Sequence, residues 1–198
     1  PAIDESDDYT QWKRASNAKA GTNSAEIELL PGYRVELLRS AGKDEGSWVS
    51  LAFDPEGRLT VAREDKGLIR YAFSADRKAI SPSELIDGEL RECRGLLYAH
   101  GSLYVNANNT KGLYRLRDTN GDGTLDEKKL LHSSPGGVGH GRNALALGPA
   151  GDIYAIHGDA VDLPRGILDR TSPLRQQGLP ARPREGHVLR ISPDGSRK

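Results

Sequence analysis

"SLAFDPEGRLTVARE", residues 50 to 64, reads as an apolar strand, a turn holding Pro55 and Gly57, and a second apolar strand. Proline presets the backbone of the first turn position, and glycine accepts the positive φ that a tight antiparallel reversal needs. The same scheme returns in "GLLYAHGSLYVNANN" (95 to 109), in "ALALGPAGDIYAIHG" (144 to 158) and, as far as its turn, in "HVLRISPDGSRK" (187 to 198). Counted at Gly57, Gly101, Gly151 and Gly195, the spacings are 44, 50 and 44 residues. A period of that length matches one blade of a β-propeller, whereas a β-sandwich requires no regular long period. The expected fold is therefore all-β: a β-propeller of about three and a half blades, the first half of a larger one, preceded by a polar arm.

The arm is residues 1 to 28, where Tyr9 and Trp12 are the large apolar groups in an otherwise polar, initially acidic stretch, read as an arm or short helix. Residues 29 to 198 form the partial propeller. The last turn, "SPDGSRK", is not followed by a return strand, so completion by further sequence, a second chain or a partner is expected.

At 198 residues the chain is long enough for one domain with a real core. Its 28 basic and 28 acidic side chains cancel, which argues against nucleic acid or an anionic membrane as partner. Cys93 is the single cysteine, so there is no intrachain disulfide and no haem-attachment pair. No apolar run is long enough to span a bilayer. Methionine is absent, including at position 1, which points to processing or a fragment and modestly to export.

Two segments carry candidate chemistry. In "RLRDTNGDGTLDEKKLL", 115 to 131, Asp118, Asn120, Asp122, Thr124 and Asp126 fall at alternate positions, and Gly123 permits a sharp bend. Hard oxygen ligands in that order suit calcium, with Thr124 offering its carbonyl and Asp126 a closing carboxylate. Lys129 stands where a helix-loop-helix calcium site has glutamate, which favours the shorter form found on hairpins. The plain alternative is a polar turn without metal, since Asp, Asn and Gly favour turns anyway.

The second segment, "SSPGGVGHGRNALALGPAGDIYAIHGD", 133 to 159, sets His140, Arg142 and Asn143 after a glycine-rich approach, with His157 and Asp159 ending the next strand. Imidazole, guanidinium and amide groups near a propeller channel suit proton abstraction and anion or carbonyl binding. Each also has a plain role: a histidine beside glycine as a hydrogen-bonded turn residue, an arginine as the partner of an acid.

Taken together, "LPGYRVELL", "GSWVSLAFDPEGRL", "GLLYAHGSLYV", "GLYRLRDTNGDGTLDE", "GHGRNALALGPAGDIYAIHGD" and "EGHVLRISPDGS" resemble the N-terminal half of the planctomycete and verrucomicrobial membrane-bound dehydrogenase family, over roughly residues 29 to 198. The resemblance implies an exported propeller, periplasmic, cell-surface or secreted, related to soluble quinoprotein glucose and aldose sugar dehydrogenases. It implies calcium and pyrroloquinoline quinone as cofactors, a small sugar or alcohol as substrate, and a c-type cytochrome partner whose haem c lies in a separate domain or chain.

In those dehydrogenases a base histidine stands eight residues before the glycine of the next turn. His140 stands eight before Gly148 and takes the role of catalytic base, with Arg142, Asn143, His157 and Asp159 as cofactor-binding candidates. The family's usual E-H-G-x-H is here Gly139-His140-Gly141-Arg142-Asn143, without the acid that would orient the first histidine. That departure, with the missing haem motif, keeps a non-catalytic binding or assembly module as the alternative.

Overall fold

The computed structural model describes residues 21 to 164 and 185 to 198. The arm expected over 1 to 28 therefore lies mostly outside the described residues; of the part within them, Ser24–Glu26 forms a single 3-10 turn.

Among the described residues, eleven strands follow in three antiparallel meanders. The first sheet is β1 (Trp48–Phe53), β2 (Leu59–Arg63), β3 (Leu68–Phe73) and β4 (Ile80–Asp87). The second is β5 (Cys93–Ala99), β6 (Ser102–Ala107), β7 (Gly112–Arg117) and β8 (Glu127–Ser133). The third is β9 (Arg142–Leu147), β10 (Ile153–His157) and β11 (His187–Ile191).

The first strands of the three sheets stand side by side and run the same way. Near their starts, Ser50 Oγ donates to the Cys93 carbonyl at 2.5 Å, and Asn106 Nδ2, beside β5, donates to the Asn143 carbonyl at 2.9 Å. Near their ends, Thr60 and Tyr98 share a hydroxyl hydrogen bond of 2.8 Å, and His100 Nε2 meets the Gly151 carbonyl at 2.8 Å. Meanders stacked face to face with their first strands innermost are the blades of a partial β-propeller.

Alternation along the strands assigns each face to a neighbour. Ala62 and Leu68 of the first blade meet Cys93, Leu103, Val105 and Leu116 of the second. The opposite face of the second blade sets Tyr104, Leu113 and Leu131 against Ile153 and Ile191 of the third. Burying each such aliphatic chain contributes about 1.5–3 kcal/mol, so the two seams hold most of the hydrophobic stabilisation. The outer face of the first blade carries Leu59, Val61, Ile69 and Tyr71, partly covered by Leu38, while Leu51 and Phe53 stay exposed.

The blade count differs from the sequence reading. Gly57, Gly101 and Gly151 do turn the first hairpin of their blades, each at positive φ. Gly195 instead follows the third strand of the third blade, so the described residues hold two four-stranded blades and one of three strands, with no start of a fourth blade.

The hydrogen bonds of the turns show why. In 192 to 197 the Ser192 amide donates to the Arg197 carbonyl at 3.0 Å, Ser192 Oγ to Asp194 at 2.6 Å, and the Arg197 amide to Ser192 Oγ at 3.0 Å. In 74 to 79, between β3 and β4, the Ser74 amide donates to the Ala79 carbonyl at 2.9 Å, Ser74 Oγ to Asp76 at 2.6 Å, and the Ala79 amide to Ser74 Oγ at 3.0 Å. They are the same turn, the one between the third and fourth strands. The acidic loop occupies that place in the second blade, between β7 and β8.

Candidate active-site segment and acidic loop

The glycine-rich segment before β9 crosses closely against two other pieces of chain. A Cβ on Gly141 would run into the Asn108 amide, and one on Gly158 into the His140 carbonyl. The close approach that these glycines permit is thus made by the protein's own groups, a side-chain amide at Gly141 and a backbone carbonyl at Gly158. The Gly158 amide donates to the Gly141 carbonyl at 2.7 Å and the Ala160 amide to the His140 carbonyl at 3.1 Å, tying the segment to the end of β10.

That crossing brings His140 to Asp159. His140 Nδ1 lies 3.2 Å from Asp159 Oδ1, and both side chains are largely exposed, at 87% and 68%. The acid lacking before His140 in sequence is thereby supplied from the loop after β10. With Nδ1 directed at the carboxylate, Nε2 is the nitrogen left for a proton in transit. Arg94 braces the segment from β5, donating to the Gly139 carbonyl at 2.8 Å while its other nitrogens hold Glu92.

Arg142 follows at once but faces the other way, fully buried in the seam between the second and third blades. Its Nε donates to Ser134, its Nη1 to the Gly137 and Asn108 carbonyls at 2.8 and 3.1 Å, and its Nη2 to the Ser134 and Pro135 carbonyls. All five N–H groups are committed to the chain's own acceptors. Burial pushes its pKa down, opposed by the Asp162 carboxylate. Asn143 donates its side-chain amide to the Gly141 carbonyl at 3.1 Å.

His157 is also in the interior, 2% exposed, with Nδ1 3.1 Å from Nε2 of His187 on the neighbouring strand β11. His187 Nδ1 lies 2.8 Å from the Glu185 carbonyl. Burial and the nearby His187 push His157 down to about 3, and burial pushes His132 down to about 4. Of the five residues predicted for the base and its cofactor, the structure joins His140 with Asp159 and sets Arg142 and His157 in the packed interior. His132 and His187 went unnoticed in the sequence, where nothing links β8 to β11.

The acidic loop lies at the opposite end of the blades, since β7 ends where β5 ends and His140 precedes the start of β9. Its hairpin is the expected one, with Arg117 paired to Glu127. Asp118 accepts amides from Gly121 at 2.6 Å and Gly123 at 2.8 Å; Asn120 accepts from Asp122 at 2.9 Å, and Asp122 from Thr124 at 2.7 Å. Asp126 turns to Thr119, accepting its amide at 2.8 Å and its hydroxyl at 2.6 Å. These amides hold the pKa values of Asp118 and Asp126 below the usual carboxylate range, with the Thr119 hydroxyl leading for Asp126.

The donors are the hard oxygens calcium takes, and Gly121 and Gly123 supply the bends at φ 80° and 90°. Among the described residues, however, no three His, Cys, Asp or Glu side chains are gathered to hold one ion.

Pyrroloquinoline quinone carries carboxylates and asks for cations. The guanidinium groups bonded to this segment are engaged, Arg142 by carbonyls and Arg94 by Glu92 and Gly139. The described residues thus fit a base with its orienting acid and do not fit a quinone cradle.

No family model and no curated protein matches the chain. Similar solved structures include the PQQ-bound aldose sugar dehydrogenase of Streptomyces coelicolor, 23% identical with a TM-score of 0.48 over 76% of this chain and 46% of that one. An oxidoreductase (glucose dehydrogenase) from Thermus thermophilus is 17% identical, with a TM-score of 0.42 over 71% of this chain and 44% of that one. A Trichoderma reesei carbohydrate-active enzyme, in its calcium structure, is 17% identical, with a TM-score of 0.47 over 67% of this chain and 34% of that one. The chain spans less than half the length of each of these three.

Proposed function

We propose that this chain is the base-bearing part of an exported, calcium-stabilised, quinoprotein-like sugar or alcohol dehydrogenase propeller. The observation that carries the reading is the exposed His140–Asp159 pair, 3.2 Å apart, in the segment that resembles the dehydrogenase family. His140 Nε2 takes the proton of a substrate hydroxyl, and the Asp159 carboxylate holds the ring and balances the imidazolium charge that forms. Pyrroloquinoline quinone supplies the two-electron acceptor in such enzymes. Groups beyond the described residues would have to hold it.

Further blades, from the same protein or a second chain, cover the apolar outer face at Leu51 and Phe53 and the face of the third blade that exposes Ile156 and Val188. Electrons leave to a c-type cytochrome domain, in a periplasmic, cell-surface or secreted setting. Calcium in the acidic loop is structural, since the loop and His140 lie at opposite ends of the blades.

The engaged donors of Arg142 favour a second reading, a non-catalytic propeller serving as a binding or assembly module. Quinone-dependent sugar oxidation by the complete protein, compared with its His140→Ala variant, decides between them. Loss of turnover on substitution supports the dehydrogenase; unchanged turnover removes His140 from the chemistry; a parent protein inactive with added quinone and calcium supports the module.

A further inference from the structure

His132 on β8, His157 on β10 and His187 on β11 line one cavity of about 140 Å3, together with Asp162, Leu163 and Leu189. The hydrogen bonds there fix the tautomers. The Glu185 carbonyl only accepts, so His187 Nδ1 carries a hydrogen and its Nε2 is a lone pair. His157 Nδ1 must then be the donor across the 3.1 Å contact, which leaves His157 Nε2 as a bare lone pair. That nitrogen is buried and has no hydrogen-bond partner. The His132 backbone is paired with Leu113 in the β7–β8 ladder, and its ring makes no hydrogen bond among the described residues.

We propose that His157 Nε2 and His132 bind a divalent transition-metal ion of the zinc or copper(II) class. A buried acceptor without a donor is unfavourable and calls for a ligand. A proton is a poor one: it would leave an N–H with no acceptor and add a charge near Arg142, whereas a metal gains two imidazole nitrogens and keeps water. Metal-ligating histidines commonly donate their other N–H to a fixed acceptor, which orients the ring and raises its basicity. His157 has that support in His187, itself fixed by the Glu185 carbonyl. Because no three ligating side chains are grouped here, the shell consists of the two imidazoles and water. Borderline ions are the class that imidazole suits.

The test is calorimetric titration of the metal-free intact protein with zinc chloride near neutral pH, calcium being present throughout. One site tighter than about 100 μM is expected. His187→Gln should weaken it by about tenfold and His132→Gln by about a hundredfold, with His100→Gln as an unaffected surface control. X-ray absorption of the zinc-loaded protein should show two imidazoles. No binding, or binding that survives His132→Gln unchanged, overturns the proposal; His132 is half-buried, so that variant remains informative if His187→Gln does not fold.

Discussion

His140 Nδ1 lies 3.2 Å from Asp159 Oδ1, although no acid neighbours the histidine in sequence. If the carboxylate orients the base, Asp159→Asn should lower kcat for quinone-dependent sugar oxidation by about tenfold while leaving the sugar KM nearly unchanged. The variant's pH–rate profile should also move, because an amide no longer balances the imidazolium charge. An unmoved profile with lower activity would reduce Asp159 to a folding role.

Arg142 predicts a stability phenotype. Arg142→Met keeps much of the volume but leaves carbonyls of Ser134, Gly137 and Asn108 without donors in the seam, at a cost of about 3 kcal/mol or more. Arg142→Lys should also destabilise, since three ammonium donors cannot reproduce a planar set of five. Urea unfolding would measure both. A lysine variant as stable as the parent would show that charge, not the fork geometry, is what the seam needs.

Acid should loosen the third blade. His157 and His132 sit at about 3 and about 4 in the folded protein, against an ordinary 6.5. A base whose folded pKa is depressed stays neutral when folded and takes a proton on unfolding. Its stabilisation is therefore full above about pH 6.5 and falls by up to about 1.4 kcal/mol per pH unit as pH drops towards the folded values. Melting temperatures between pH 7 and pH 5 should decline, and His157→Gln should flatten the decline even if it lowers the starting point. An equally steep decline in that variant would place the acid sensitivity elsewhere.

The fold was legible where turn chemistry is local. Pro55, Gly57, Gly101 and Gly151 mark hairpins because the backbone there requires what those residues allow. Gly195 misled for a physical reason: its true counterpart in the first blade has Arg77 at the same positive φ, 59° against 80°, so a search by glycine passes over it. Ser74 with Asp76, and Ser192 with Asp194, are the signal that identifies the turn. The site was less legible because its partners are set by strand register. Asp159 reaches His140 through the shifted pairing of β9 with β10, and His157 meets His187 directly across β10 and β11.

The acidic loop also does more than close its hairpin. Arg70, nearly buried in the first blade, donates through Nη1 to the Gly123 carbonyl at 3.0 Å and to Glu84, with Nε 3.7 Å from Asp54. Gly123 is itself held by Asp118, whose carboxylate accepts its amide at 2.8 Å. Like the counterpart turn at 192 to 197, whose Pro193 carbonyl accepts from Tyr104 of the second blade at 3.0 Å, this loop thus reaches the neighbouring blade. Calcium at about millimolar concentration should raise the melting temperature and slow amide exchange in both the loop and β3, where Arg70 sits. Arg70→Met should confine the slowing to the loop, and Asp118→Ala should abolish the calcium effect. In chelator, Asp118→Ala should still speed exchange in β3, because Gly123 loses its anchor without any ion. No calcium response in the parent would make the segment a polar turn, and unchanged exchange in β3 would disconnect it from the first blade.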